Sequence, residues 1–506
     1  MSVPIFKDLS FYNDANSSTA RYQALQTSFN KVYGNEPEFV GRSPGRVNLI
    51  GDHIDYCYFS VLPMALDVDV IAATSINDSN TIRLANTNDK FPSYEFEISP
   101  TFEISQADYT WVNYFKCGLI VANNYLKELN PSTKLKGMNL LFDGNVPTGG
   151  GLSSSAAICV TSALVVLRAN GLTNISKEDL TRITVVSEHY VGVNTGGMDQ
   201  CASIYGEKGK ALLIQFKPKL IGIPFELPTT KPHELVFLVS NSLVESNKHE
   251  TAPTNYNLRV VEVALAAEWL AKKLKLSLVN DSNLETGTLR GFLDSYFESL
   301  GEPRWDGHDI DVGINRLTKC LELIEKPEIF NQEEQKGVET EHASNCLELS
   351  TDQFYQRFLS KFPVKYDKLK LYQRSKHVFS DSLRVLEFLK IFEGQKLKPS
   401  TGILQDLGKL LNESQQSCNL LNNASKPDCE ELCQIARENG SYGSRITGAG
   451  FGGSIVHLTT VDRLESLVEA LKKEYYLQKF PNITQDQLNE AIVVSKPATG
   501  SCILEL

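Results

Sequence analysis

The sequence predicts an α/β protein built as two lobes, and three observations carry that expectation. A chain of 506 residues with 42% hydrophobic and 22% charged residues is long enough for two or three domains and has the composition of an ordinary globular protein. Short strand patterns alternate with helical periodicities through its first half. A Pro-rich connection then separates the strand-like ALLIQF, residues 211 to 216, from LVFLVS, residues 235 to 240. The domain boundary is placed there, giving a first lobe of residues 1–222 and a second of 223–506.

The elements follow in order. A polar start leads to a helix over Ala20 to Tyr33. PEFVGRSPGRVNLIGDHIDYCYFSVLPMALDVDVIAAT, residues 37 to 74, mixes apolar runs with Gly, Pro and Asp, and predicts strands at Phe39 to Val40, Val47 to Ile50 and Val68 to Ala72. Helical spacing covers 112 to 129, a strand covers Gly137 to Phe142, and a helix over Ile158 to Leu167 ends near Gly171. Another helix is expected at Leu180 to Tyr190. In the second half, helices are predicted at Leu258 to Leu274, Gly313 to Ile324 and Ser375 to Phe392. Lys326 to Asn345, rich in Glu, Gln and Lys, reads as a solvated insertion.

Chemistry concentrates in NVPTGGGLSSSAA, residues 145 to 157, a Gly and Ser run that feeds a helix. Gly149, Gly150 and Gly151 suit backbone closed to bulky residues, and Ser153, Ser154 and Ser155 bring hydroxyls to the first free N–H groups. Such a helix start carries roughly half a positive charge and holds a polyphosphate on main-chain amides, with hydroxyls left over for Mg²⁺. The alternative is a tight turn that caps a buried helix. No Walker A lysine and no protein-kinase H-R-D or D-F-G element is present.

Arg42, Arg46, Asp52, His53, Asp55 and Asp67 crowd the strand ends of 37 to 74. Carboxylates accept hydrogen bonds from sugar hydroxyls while Arg and His donate them, so the Asp-His-x-Asp run suits a polyol; a salt-bridged turn is the other reading. Asp199 follows the Gly-bearing segment Asn194 to Gly197, from which a carboxylate can reach a reacting hydroxyl or serve as a plain turn residue. In GSYGSRITGAGFGGSIVHLTT, residues 440 to 460, Gly448, Gly450 and Gly453 match G-x-G-x-x-G, but the sequel alternates as a strand, so a hairpin packed against another loop is expected instead of a dinucleotide fold.

A net charge of −11 disfavours nucleic acid and anionic membranes as partners and leaves ATP open. The first residues, MSVPIFKDLSFYND, carry neither a basic n-region nor an apolar core, and no apolar run approaches a membrane span, so a cytoplasmic location is expected. Ten scattered cysteines imply neither a disulfide framework nor a four-ligand zinc site.

Taken together, GRSPGRVNLIGDHIDY, VPTGGGLSSSAA and GSYGSRITGAGFGGS resemble the three motifs of the GHMP small-molecule kinases, and within them the galactokinases. Further stretches, including WVNYFKCGL, ITVVSEHYVGVNTGGMDQ and ETAPTNYNLRVVEV, look like those of the long fungal members. The resemblance implies a first lobe of the ribosomal-protein-S5-domain-2 type, an α+β second lobe, and ATP and galactose bound between them. It places Gly149 to Gly151 and Ser153 to Ser155 around the phosphates, Arg46 and Asp199 beside the galactose C1 hydroxyl, and Asp52, His53, Asp55, Asn194 and Tyr256 around the rest of the sugar. Ser155, with Ser154, and Glu188 would hold Mg²⁺. Asp52 stands where many galactokinases have Glu, and Thr195 where fungal relatives often have Asn. The fungal family also includes a galactose sensor that lacks a Ser-Ala pair of the central loop and sequesters a transcriptional repressor. Here Ser153 to Ala157 are intact, so catalysis is expected, with ligand-dependent repressor binding as a possible second role and N-acetylgalactosamine as an alternative sugar.

Overall fold

The computed structural model describes residues 1–104, 110–147, 149–191, 196–228, 233–244, 251–282, 284–397 and 402–506. Its strands are β1 (Ile5–Phe6), β2 (Phe39–Ile50), β3 (Leu62–Asn77), β4 (Thr81–Asn86), β5 (Tyr94–Glu97), β6 (Gly137–Gly144), β7 (Lys210–Gln215), β8 (Ile221–Glu226), β9 (Leu235–Asn241), β10 (Gly443–Ile446), β11 (Ser454–Thr460), β12 (Ile492–Ser495) and β13 (Cys502–Glu505). The first lobe is a seven-stranded sheet in the order β1-β13-β2-β3-β6-β4-β5.

Both faces of this sheet are covered, which is why all twelve residues of β2 are buried. Val40, Ile71, Ala73 and Leu141 lie in one cluster with Leu25 and Phe29 of α1 (Ala15–Tyr33). Phe39 and Ala72, their alternates, belong to the main core with α2 (Trp111–Leu129) and α3 (Ser154–Ala169), as a period of two requires. α2 and α3 cross closely at Gly118, where an added Cβ would sit 2.4 Å from the Cys159 carbonyl. That contact fixes α3, and so the loop at its start, relative to the sheet. α4 (Lys177–Val185) and α5 (Met198–Tyr205) complete this lobe's helices.

The second lobe centres on a four-stranded antiparallel sheet, β10-β11-β9-β12, with long helices at Tyr256–Lys273, Leu371–Leu397 and Ile403–Leu420. The hairpin expected after residue 440 is present as β10 and β11, paired from Gly443 with Leu458 to Ile446 with Ile455.

Several boundaries differ from the sequence expectation. The two short strands at 39–40 and 47–50 are one strand, because register shifts after Pro44 and Asn48 absorb the Pro and Gly without ending the ladder. The helix expected over Leu180 to Tyr190 divides after Val185 into a 3₁₀ turn, Ser187–Val191. There Thr184 Oγ1 donates to the Leu180 carbonyl and Ser187 Oγ to the Thr184 carbonyl, bonds that bend a helix out of register.

The boundary at 222 is corrected twice. It cuts β8, which pairs with β7 as a two-stranded ribbon whose edge tolerates Pro224. The chain's end, assigned to the second lobe, returns to the first: β13 pairs antiparallel with β2, Cys502 opposite Arg42. Lys326 to Asn345 is no solvated insertion either. Ile329 and Phe330 are buried, the Phe330 ring stacks on Trp269 at 5.8 Å, and Trp269 Nε1 donates to the Ile329 carbonyl. Among the described residues, no helix is long and apolar enough to cross a membrane, and no cluster of three metal-ligating side chains occurs. The ten cysteines are free, nine of them buried.

Candidate active site between the two lobes

Arg46 lies on β2 just past the register shift at Pro44. Its backbone N–H donates to the Leu152 carbonyl at 3.1 Å, and its Nη1 donates to the Gly151 carbonyl at 2.6 Å. β2 therefore holds the Gly and Ser loop by two bonds. The remaining guanidinium N–H groups converge on one oxygen of Asp199, with Nε 3.0 Å and Nη2 2.8 Å from Oδ1. Asp199 sits in the first turn of α5, a helix start that favours a carboxylate. α5 is pinned to the same bend of β2 because Ser203 Oγ donates to the Pro44 carbonyl at 2.7 Å. The Arg46 side chain is 4% exposed and that of Asp199 19%, so the acid of the pair is the open partner.

The loop meets this pair from the other side. Ser153 Oγ donates to Asp199 Oδ2 at 2.5 Å, and Ser153 takes the left-handed conformation, φ 61°, without capping the helix through its side chain. This corrects the expectation that its hydroxyl lies beside the first helical N–H groups. Residues 149–151 form a turn that leads into α3, and Ser154 and Ser155 are half-buried in its first turn. The amides of a helix start are an anion cradle.

The C-terminal hairpin backs the loop. Thr447 exchanges hydrogen bonds with both backbone groups of Asn48, 2.9 and 3.0 Å, and Gly448, at φ 77°, leaves room for the Gly151 carbonyl, which an added Cβ would approach to 2.7 Å. Gly150 and Gly151 face Asn241, Ser454 and Thr447 in the same way.

Asp52 and His53 are turned toward that hairpin. Asp52 is buried, its Oδ2 2.5 Å from Arg445 Nη1 and its Oδ1 accepting from the Gly448 N–H at 2.8 Å. His53 Nε2 lies 2.9 Å from the Ala449 carbonyl and Nδ1 3.0 Å from the Tyr56 hydroxyl, so the ring donates through Nε2 and accepts through Nδ1. Burial, reinforced by His377, lowers the His53 pKa to about 3 and keeps it neutral. Both residues expected around the sugar thus spend polar atoms on joining the lobes. Sequence reading missed Arg445 as part of this junction, although a lone arginine inside a Gly-rich hairpin was a visible signal.

Asp55 is different. It lies buried in a 3₁₀ turn, packed against Gly196, and among the described residues no guanidinium pairs with it. Burial first, then the Asp199 charge, raises its pKa to about 7. Tyr256 stands half-buried at the start of the helix Tyr256–Lys273, its ring 5.7 Å from His53 and 5.9 Å from Tyr56. Arg42 and Asp67 lie outside the cleft: Arg42 pairs with Asp69, and Asp67 accepts from Asn13. Asn194 and Thr195 fall outside the described residues.

Glu188 is buried on the 3₁₀ turn that packs against α3, and its Oε2 accepts from Gln200 Nε2 at 2.7 Å. The Glu188 carboxylate and the Ser155 hydroxyl in the first turn of α3 are both hard-oxygen donors, the type that Mg²⁺ takes.

An amide cradle at a helix start, bonded to an acid that an arginine of the same lobe holds and backed by the hairpin of the other lobe, fits a small-molecule phosphotransferase of the GHMP kinase class. The GHMP kinase N-terminal domain matches residues 113–207 and the C-terminal domain 400–477. The galactokinase galactose-binding signature matches residues 27–76, and the chain belongs to the galactokinase family. It is 55% identical to the galactokinase of Schizosaccharomyces pombe across 100% of this chain and 99% of that one. It is 53% identical to that of Candida parapsilosis (100% and 98%) and 47% to that of Saccharomyces cerevisiae (94% and 93%). The crystal structure of Lactococcus lactis galactokinase complexed with galactose shares the fold, with a TM-score of 0.64 at 21% identity over 96% of this chain and all of that one.

Proposed function

We propose that this chain transfers the γ-phosphoryl group of ATP to the C1 hydroxyl of α-D-galactose, giving galactose 1-phosphate and ADP. The observation that carries the reading is the convergence of Arg46, Ser153 and Gly151 on one side of the cleft with Asp199 open beside them. The amides of Gly149 to Ser155 bind the phosphates, and Asp199 takes the proton of the sugar hydroxyl as its oxygen bonds to phosphorus and the bond to ADP breaks. Arg46 orients Asp199 and offsets charge on the transferring group. Asp55 and Tyr256 face the sugar, and Asp52 and His53 shape the turn that presents Asp55. Asn194 is proposed for the sugar from sequence. Ser155, with Ser154, and Glu188 would hold Mg²⁺, which supplies charge neutralisation at the β- and γ-phosphates.

Galactose-dependent ADP release with Mg-ATP tests this, run beside a panel that includes N-acetylgalactosamine. Release that ignores galactose would refute it. A second role, ligand-dependent capture of a transcriptional repressor, is favoured by the seam of Thr447, Gly448 and Ala449 on Asn48, Asp52 and His53, through which a bound sugar can act on the lobe junction. A pull-down of the repressor with and without galactose and ATP tests it, and capture indifferent to both ligands would refute gating.

A further inference from the structure

We propose that Ser153 is a positioning residue that couples the nucleotide cradle to the sugar-facing carboxylate, so that filling either substrate site strengthens the other. A serine immediately before a helix ordinarily adopts extended backbone and turns its oxygen toward the N–H groups of the first turn. Ser153 does neither: it has φ 61° and ψ 42°, and its side chain makes no capping bond. The left-handed conformation is unfavourable for a residue with a Cβ. The same loop uses glycine where it needs positive φ, at Gly149 and Gly151. A glycine at 153 would remove that cost and would also remove the hydroxyl.

What the hydroxyl does is plain from its partner. It donates to Asp199 Oδ2 at 2.5 Å, a charge-assisted bond, while Arg46 holds Oδ1. The carboxylate is thus oriented by one hand from β2 and one from the loop. Arg46 itself takes a loop contact through the Gly151 carbonyl. Both constraints on Asp199 therefore pass through the segment Gly151 to Ser153, the segment that closes on phosphate. Ordering this segment by nucleotide orders the acid, and linkage makes the effect mutual: sugar bound at the acid orders the cradle. This inference rests on the galactokinase reading above.

Galactose binding to the full chain is measured by calorimetry, with and without a non-hydrolysable ATP analogue and Mg²⁺, for the wild type, Ser153→Ala and Ser153→Gly. The wild type is expected to bind galactose at least about 5-fold more tightly with the analogue present, the lower range of ordinary coupling. Both variants are expected to lose this factor. Ser153→Gly is the decisive one, because relief of positive φ leaves it at least as heat-stable as the wild type, while its kcat falls and its KM for galactose measured without saturating nucleotide stays put. A wild type with no coupling, or a Ser153→Gly protein that keeps it, overturns the proposal. A wild type that binds no galactose at all overturns the galactokinase reading and this inference together.

Discussion

Gly448→Ala tests whether the C-terminal hairpin sets the position of the phosphate loop. Gly448 has φ 77°, so any residue with a Cβ pays about 1–2 kcal/mol for the backbone alone. The added methyl would also sit 2.7 Å from the Gly151 carbonyl oxygen and 3.4 Å from Arg46 Nη2. A carbon and an oxygen at 2.7 Å are well inside contact, and neither is the end of a flexible chain. The loop must retreat by several tenths of an ångström, carrying the carbonyl that receives Arg46 at 2.6 Å. Displacements of about 1 Å at a reacting centre cost on the order of 100-fold in rate. Gly453→Ala is the matched control. Gly453 has φ 72° and so the same backbone cost, but its new methyl would meet Gly150 O at an ordinary 3.5 Å. Thermal unfolding should show the backbone loss in both variants and a further loss from the clash in Gly448→Ala. Steady-state kinetics should show kcat/KM for galactose reduced by roughly 10- to 100-fold in Gly448→Ala and only a few-fold in Gly453→Ala. Equal losses of activity in the two would refute the claim that the hairpin positions the loop through Gly151.

Asp199→Asn keeps the side chain's size and removes its charge and basicity; kcat should fall by about 100- to 10,000-fold while nucleotide binding stays near wild type, checked by single-turnover assay and nucleotide titration. Asp55 has a folded pKa raised from 3.8 to about 7, so the native state binds its proton more tightly than the unfolded chain does. Its contribution to stability is complete below about pH 3.8 and is lost as pH rises through about 7; Asp55→Asn should flatten that slope in urea unfolding at several pH values and raise KM for galactose. Glu262 is buried between Arg374, 2.6 Å, and Arg259, 3.2 Å, and accepts the Lys370 N–H; Glu262→Ala strands two guanidinium groups and should cost about 3–5 kcal/mol, read from the chemical unfolding midpoint. Removal of divalent cation with EDTA should abolish ADP release and restore it on addition of Mg²⁺; activity that survives chelation would count against Ser155 and Glu188 as ligands.

The sequence made the phosphate loop and the hairpin legible because both are written in glycine, whose spacing reports backbone shape without any knowledge of the fold. Arg46 and Asp199 were legible as chemical types. Their pairing was not, since they stand 153 positions apart and the bend of β2 at Pro44, with its bond to Ser203, brings them together. The same limit explains the ribbon β8, hidden by Pro224, and the return of β13 to the first sheet: strand pairing at long range leaves no periodic trace. Phe330 shows the converse failure. A run of Glu, Gln and Lys was read by composition as solvated, yet one aromatic stacked on Trp269 is enough to dock it.

The distribution of charge in the cleft explains why one Asp-His-x-Asp run does two jobs. Three carboxylates, Asp52, Asp55 and Asp199, gather there, and two guanidinium groups, Arg445 and Arg46, face them. Arg445 is spent on Asp52 and Arg46 on Asp199, so each of those acids has its own guanidinium partner. Among the described residues no cation pairs with Asp55, and burial first, then the Asp199 charge, raises its pKa to about 7. A sugar presents hydroxyls that both give and take hydrogen bonds, and an acid poised in that range can meet either. On the proposed reading, the carboxylate that no guanidinium holds among the described residues recognises the sugar, the carboxylate paired with Arg46 takes its proton, and the carboxylate paired with Arg445 holds the lobes that bring the other two together.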